Sequence, residues 1–212
     1  MLSGVPDGDI GPGALSPIEV LEARRQSLVP GRWRWLRQCH SDGVVVLGPE
    51  EVCAGREGDA LVTTMPGAPL AVFAADCALV GLLSPKGVVG AAHVGWRGLR
   101  SGVLERTVAV MGSLGAAGLV AVVGACIGPE CYEFGEKDLE SLQARYGPSV
   151  RARTAEGHPA LDLRAGVHRA LEALAVPIAS DCADCTACDP SWFSWRARND
   201  TGRHALVVAE AP

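Results

Sequence analysis

The chain has 212 residues, 48% of them hydrophobic and 20% charged, which is enough to bury roughly 70% of the unfolded surface in one core without disulfide or metal staples. A net charge of -5, with positive residues scattered apart from an Arg-Trp alternation between Arg32 and Arg37, excludes the broad basic surface of a nucleic-acid binder. No apolar run reaches the ~18 residues of a membrane span, and the first residues lack a basic stretch leading into an apolar one, so a soluble, cytoplasmic protein with no membrane partner is expected.

Residues 1–16 are rich in glycine and proline and poor in large apolar groups, so they are expected to form a flexible segment that wanders or lies across the surface, with the folded domain running from 17 to 212. Ser16-Pro17 opens a helix, Ser16 capping it, with Ile18, Leu21 and Leu28 on one side, and Pro30-Gly31 ends it. Trp33, Trp35 and Leu36 begin an extended segment that reaches Gln38-Cys39-His40; Val44 to Leu47 is a strand, which puts His40 at a strand-turn junction. Ala60 to Thr64, Leu70 to Ala75, Leu79 to Leu83 and Val88 to Ala92 read as four more strands, and their close spacing predicts antiparallel or mixed pairing. After Gly98 the period becomes helical, with Val103, Leu104, Thr107, Val108 and Met111 on one face. Leu119 to Val123 reads as a buried strand, the loop Gly124 to Gly135 follows, and helices are predicted over 136–146 and 162–174. Val176 to Ala179 and Ala205 to Ala209 close the pattern as strands, while Gly147 to Pro159 is irregular. The expected class is α/β: a single domain with mixed β-sheets in a sandwich and flanking helices.

Chemistry gathers between Leu70 and Gly98, where two apolar runs each deliver a polar group to a strand end. Asp76 and Cys77 interrupt the first, His93 closes the second, and His40 lies upstream. Two imidazoles and a thiolate suit zinc, and three protein ligands leave a fourth position open, the arrangement of a catalytic site. Each residue also has a plain structural reading: a satisfied polar group for the histidines, a small core residue for the cysteine. An aspartate is costly to bury unpartnered, so Asp76 is read as a ligand partner, an acceptor for a histidine N–H or a proton acceptor, with a turn cap as the alternative. Gly95-Trp96-Arg97-Gly98 opens a helix, where Arg97 offers a planar fork to phosphate or carboxylate; a structural ion pair is the alternative.

Eight cysteines (Cys39, Cys53, Cys77, Cys126, Cys131, Cys182, Cys185 and Cys188) in a chain without a visible secretory leader are expected as thiols or metal ligands. Cys182, Cys185 and Cys188 form C-x-x-C-x-x-C, which looks like part of a zinc or iron-sulfur site. His168, Asp189 and His204 lack a matching spacing for a fourth ligand, and Cys126 and Cys131 would have to be brought in by the fold, so structural thiols are the expected state. Trp192-Phe193-Ser194-Trp195, followed by Arg196, Arg198 and Arg203, joins aromatic walls to guanidinium groups. That suits a planar or anionic ligand as well as it suits a packed hairpin.

Six ordered blocks, Q-C-H-S-D-G-V-V-V (38–46), D-A-L-V-T (59–63), A-D-C (75–77), A-A-H-V-G-W-R-G (91–98), G-A-C-I-G-P-E-C-Y-E-F-G (124–135) and C-T…W-F-S-W-R…T-G-R (185–203), together resemble the laccase-domain, or multicopper polyphenol oxidase-like, family. The resemblance implies a mixed α/β sandwich and a zinc site (Zn2+ in preference to copper) held by His40, Cys77 and His93. It also implies phosphorolysis of adenosine, inosine or methylthioadenosine, with adenosine deamination or editing of peptidoglycan precursors as further activities of the family. On this reading Cys77 and Asp76 are catalytic, and Gln38, Arg97, Arg196 and Arg203 contact a small-molecule substrate, a nucleoside with phosphate. A non-catalytic structural zinc domain is the competing class, and the oligomeric state is left open. The family's usual proline two residues after the A-D-C cysteine is Leu79 here, its F-F-S-Y-R-R is Trp192 to Ala197, and its N-terminal signature is absent from residues 1–30, so a reshaped substrate wall is expected.

Overall fold

The apolar runs become strands and the 3.6-period runs become helices. In the computed structural model, which describes residues 1–48 and 55–210, the strands are β1 (Val44–Leu47), β2 (Ala60–Thr63), β3 (Leu70–Ala74), β4 (Ala78–Leu83), β5 (Val89–Val94), β6 (Val120–Val123), β7 (Arg151–Arg153), β8 (Pro159–Leu161), β9 (Ile178–Asp181) and β10 (His204–Val208). The helices are α1 (Ile18–Leu28), α2 (Trp96–Ser101), α3 (Val103–Ser113), α4 (Glu136–Tyr146), α5 (Leu163–Ala173) and α6 (Trp195–Arg198). Cys53 lies outside the described residues, and no helix among those described is long and apolar enough to cross a membrane.

Six strands form a mixed sheet in the order β1-β2-β5-β4-β6-β9. Its centre is antiparallel, and its edge pairs, β1-β2 and β6-β9, are parallel. β3 and β10 pair antiparallel over one face of this sheet, and α3, α4 and α5 cover the other. The alternation of side chains along a strand explains the layering. Leu70, Val72 and Ala74 of β3 pack with Leu61, Leu79 and Ala91 of the large sheet, whereas Ala71 and Phe73 face out onto Ile10, Leu21 and Trp33. A strand buried on both faces reads as an unbroken apolar run, so β3 looks in sequence like the strands it stacks upon. The result is the expected single α/β domain, sheet on sheet with helices outside. The irregular stretch after Gly147 contains a feature the sequence reading lacked, the β7-β8 hairpin.

Residues 1–16 lie across the fold and touch it at several points. Leu2 bridges Leu206 of β10, and Ile10 is fully buried. Arg25, buried with Leu21 on the same face of α1, holds the segment in place. Its buried guanidinium donates to the Ile10 carbonyl at 3.0 and 3.2 Å and to the Gly11 carbonyl at 3.3 Å, and it lies 4.5 Å from the Trp35 ring. A buried cation needs such acceptors, and a peptide segment rich in free carbonyls supplies them. Ile18, expected on the buried face, is exposed.

Topology also fixes where polar residues meet. β4 begins where β5 ends, and β2 begins opposite the same point. Residues just outside those strand ends, 39–41, 59 and 76–77, therefore converge with His93 at one edge of the sheet.

Candidate active site

His93 is the penultimate residue of β5 and pairs with Leu79 of β4, the position where the family's proline is absent. Cys77 directly precedes β4, and His40 comes from the turn ahead of β1. Cys77 Sγ is 3.7 Å from His40 Nε2, the two imidazoles meet edge to face with centroids 4.9 Å apart, and one ligand atom from each of the three residues lies within 4.8 Å of the others. His93 Nδ1 bonds Asp59 Oδ1 at 2.9 Å, which leaves Nε2 as the ring's remaining ligand atom. A carboxylate behind a histidine is the usual partner of a metal-ligating imidazole, so the donor set fits a metal ion.

Asp59 is the organiser of the site. It is fully buried and accepts from the backbone N–H of His40 at 2.9 Å and of Ser41 at 2.6 Å, and from the Ser41 hydroxyl at 2.8 Å. Burial alone pushes its carboxyl up, but the hydrogen bonds from His93 and Ser41 outweigh that and hold it well below the usual carboxylate range. Burial also disfavours the charged forms of Cys77 and His93. Their mutual attraction wins, bringing the Cys77 thiol down to about 6 and, with Asp59, the His93 imidazole up to about 9.

Gln38, His40, Asp76, Cys77, His93, Arg97, Arg196 and Arg203 all border one cleft of about 830 Å3, within the size range of small-molecule sites. Their parts in it differ. Arg97 stacks on Trp96 at 4.7 Å and Arg196 on Tyr132 at 5.2 Å, and neither has a carboxylate partner among the described residues. Arg203, by contrast, has one guanidinium nitrogen on the carbonyls of Asp200, Thr201 and Gly202. Gln38, expected as a substrate contact, uses both ends of its amide on the Phe73 backbone, at 2.7 and 2.9 Å, and so extends the edge of β3. The N-terminal segment supplies a further wall through Asp9 and Gly11 to Ala14; Asp9 accepts from the Arg203 backbone N–H at 3.0 Å.

Asp76 accepts from neither histidine; that role belongs to Asp59. Its φ of 99° costs a non-glycine residue about 1–3 kcal/mol, and three bonds hold it there. Oδ1 accepts from the Thr186 hydroxyl and Oδ2 from the Arg196 N–H, both at 2.7 Å, while its carbonyl accepts from the Ile127 N–H at 2.9 Å. Asp76 thus ties the loop after β9 and the start of α6 to the rim of the site. Gly95 is a second residue whose role is set by space. A Cβ there would lie 2.6 Å from His40 Cδ2 and 3.1 Å from Cys77 Sγ, so any side chain collides with the triad. His204 does not reach the cysteines of the C-terminal region: it is buried in β10 with its ring edge to face against Trp192. His168 faces Asp181, and Asp189 accepts from the Ser191 N–H.

A ligand-sized cleft with a His-Cys-His donor set at its base, on an α/β sandwich, defines a class of metal-competent enzyme sites. The chain belongs to the multi-copper polyphenol oxidoreductase laccase family, whose model matches residues 19–210. It is 39% identical over 201 residues to a purine nucleoside phosphorylase of Streptomyces coelicolor, spanning 93% of this chain and 83% of that protein. It is 38% identical over 187 residues to a purine nucleoside phosphorylase of Corynebacterium glutamicum, spanning 85% and 75%. Among solved structures, YlmD from Geobacillus stearothermophilus superposes with a TM-score of 0.83 at 26% identity, covering 96% of this chain and 85% of that one. The family read from the six motifs is the family that residues 19–210 match.

Proposed function

We propose that this chain is a zinc-dependent purine nucleoside phosphorylase acting on adenosine, inosine or methylthioadenosine. The observation that carries the reading is the meeting, in one cleft, of an open-sided His-Cys-His donor set with two aromatic-stacked guanidinium groups, Arg97 and Arg196, free of ion-pair partners among the described residues. The names of the relatives from Streptomyces and Corynebacterium support the substrate class. The family description speaks of copper, yet a multi-copper centre needs several histidine-rich sites. Of the five histidines in the chain, only His40 and His93 share a donor cluster among the described residues.

In phosphorolysis a phosphate oxygen bonds to ribose C1′ while the C1′–N9 bond breaks; the electron pair leaves with the purine, which takes up a proton. Zinc, when bound, supplies Lewis-acid polarisation. Arg97 and Arg196 bind phosphate through planar, charge-assisted forks and hold it in line with C1′, so that a bimolecular step proceeds within one complex. Trp195, exposed at the cleft rim, offers a face to the purine. Asp76 keeps the Arg196 backbone in place, and Asp59 keeps His93 in the tautomer that presents Nε2.

Purified zinc-loaded protein incubated with inosine or adenosine should release free base and ribose 1-phosphate only when phosphate is present. Inosine formed from adenosine without phosphate would mark a deaminase, cleavage of a muramyl-peptide analogue an amide hydrolase, and turnover of no nucleoside would contradict the proposal.

A further inference from the structure

Outside the triad the fold gathers a second donor set, from residues the C-x-x-C-x-x-C run names only in part. Cys131 ends the single 3-10 turn Pro129–Cys131 in the loop after β6, and Cys185 and Cys188 lie in the loop after β9. One ligand atom from each, with one from Glu130, all lie within 4.8 Å of one another. Cys131 Sγ is 3.4 Å from Cys188 Sγ, and Cys188 Sγ is 3.4 Å from Glu130 Oε1. Sulfur ligands ~2.3 Å from a tetrahedral zinc stand about 3.8 Å apart, so these side chains need only small shifts to close a tetrahedral ligand shell.

Two further observations point the same way. The Gly128 N–H donates to Cys185 Sγ at 3.0 Å, the kind of outer hydrogen bond that supports a thiolate ligand. A Cβ on Gly128 would collide with the Glu130 carboxylate, so a glycine at this position is what lets Glu130 turn back onto the sulfurs. Cys182 is left out, its Sγ directed at Asp184 Oδ2, and Cys126 is buried in the core under the helices.

We propose that Glu130, Cys131, Cys185 and Cys188 form a structural zinc site, separate from the triad, that clasps the loop after β6 to the loop after β9. Four protein ligands leave no open position, which is the arrangement of a structural ion. The two loops already pair through backbone hydrogen bonding at one isolated parallel β-bridge between residues 126 and 185, and both build the cleft. The first carries Ile127 and Tyr132, which border it, and the second carries Thr186, which holds Asp76. The clasp fixes the wall on which Arg196 stacks, and it stands whether or not the cleft acts on nucleosides.

The test is zinc content of the full chain, purified under reducing conditions with zinc present. Wild type should hold about two ions per chain, Cys77→Ser/His40→Ala about one, and Cys185→Ser/Cys188→Ser about one. If the last variant fails to fold, cobalt loading of Cys77→Ser/His40→Ala carries the test, because it leaves the cluster intact and should give the intense thiolate charge-transfer absorption of a tetrahedral, multi-thiolate ion. Chelation of that same variant should raise amide exchange across 126–132 and 182–189. A Cys77→Ser/His40→Ala protein without zinc or cobalt absorption, an unchanged zinc content after loss of Cys185 and Cys188, or a Cys131–Cys188 disulfide in the intact mass would overturn the proposal.

Discussion

The triad in the cleft and the cluster on the neighbouring loops draw on the same kinds of donor, and they differ in number and in what they face. His40, Cys77 and His93 supply three donors, backed by a buried carboxylate and fronted by a cleft of about 830 Å3. Glu130, Cys131, Cys185 and Cys188 supply four, and none of them borders that cleft. An ion with an open side can act on a substrate, whereas a closed shell can only hold chain segments together. Counting cysteines and histidines does not separate the two cases. Which strand ends and loops the topology brings together does.

The largest break in this comparison should come from Cys77→Ser, which is expected to remove the cleft ion and abolish nucleoside turnover. Zinc analysis should still find the ion of the loop cluster, and the melting temperature should move little. Next comes Asp59→Asn, which keeps the shape but weakens the carboxylate behind His93; metal affinity at the triad or turnover should fall roughly 10–100-fold. Gly95→Ala should lower triad affinity about ten-fold, at the lower end of the same range, because its methyl would stand 2.6 Å from His40 Cδ2, and a zinc titration should find the loop cluster unaffected. Arg97→Ala removes one charge-assisted contact and should raise the KM for phosphate about ten-fold while zinc content stays unchanged.

A last effect, on stability and not on turnover, concerns His204, a residue that belongs to neither cluster. Burial holds its imidazole down to about 4, so the unfolded chain takes up a proton below about 6.5 that the native state refuses. Its contribution is therefore complete above that pH and is lost as the pH falls toward 4. Between pH 7 and pH 5 it should cost about 2 kcal/mol of stability, which His204→Leu should not lose. Denaturant melts of both proteins at the two pH values measure this, and equal slopes would mean His204 is protonated in the fold.

Much of this was legible in the sequence, for identifiable reasons. Strands buried on one or both faces announce themselves as apolar runs, and α4 and α5 as periodic ones. Cys77 and His93 stood out because polar groups interrupting such runs are costly unless used. Asp59 stands at the head of a fully buried strand and answers to the same argument, yet its partners, His40, Ser41 and His93, come from other parts of the chain and only the fold names them. Arg25 shares a helix face with Leu21 and Leu28, but nothing local reveals that the Ile10 and Gly11 carbonyls will cover it. Cys131 could not be matched to Cys185 and Cys188 across more than fifty intervening positions; the pairing of β6 with β9 makes that match. Gly95 and Gly128 matter through what would collide with a side chain, which is a property of space and not of spacing.

On the function proposed above, nucleoside turnover depends on an ion at the cleft triad and not on one at the loop cluster. The most direct measurement is phosphate-dependent release of hypoxanthine from inosine, followed while zinc is removed from the wild-type protein and then restored, with Cys77→Ser in parallel. Turnover should be lost before the fold, return as one ion per chain rebinds, and never appear in Cys77→Ser. Full turnover by Cys77→Ser, or by wild type stripped of zinc, would contradict that dependence.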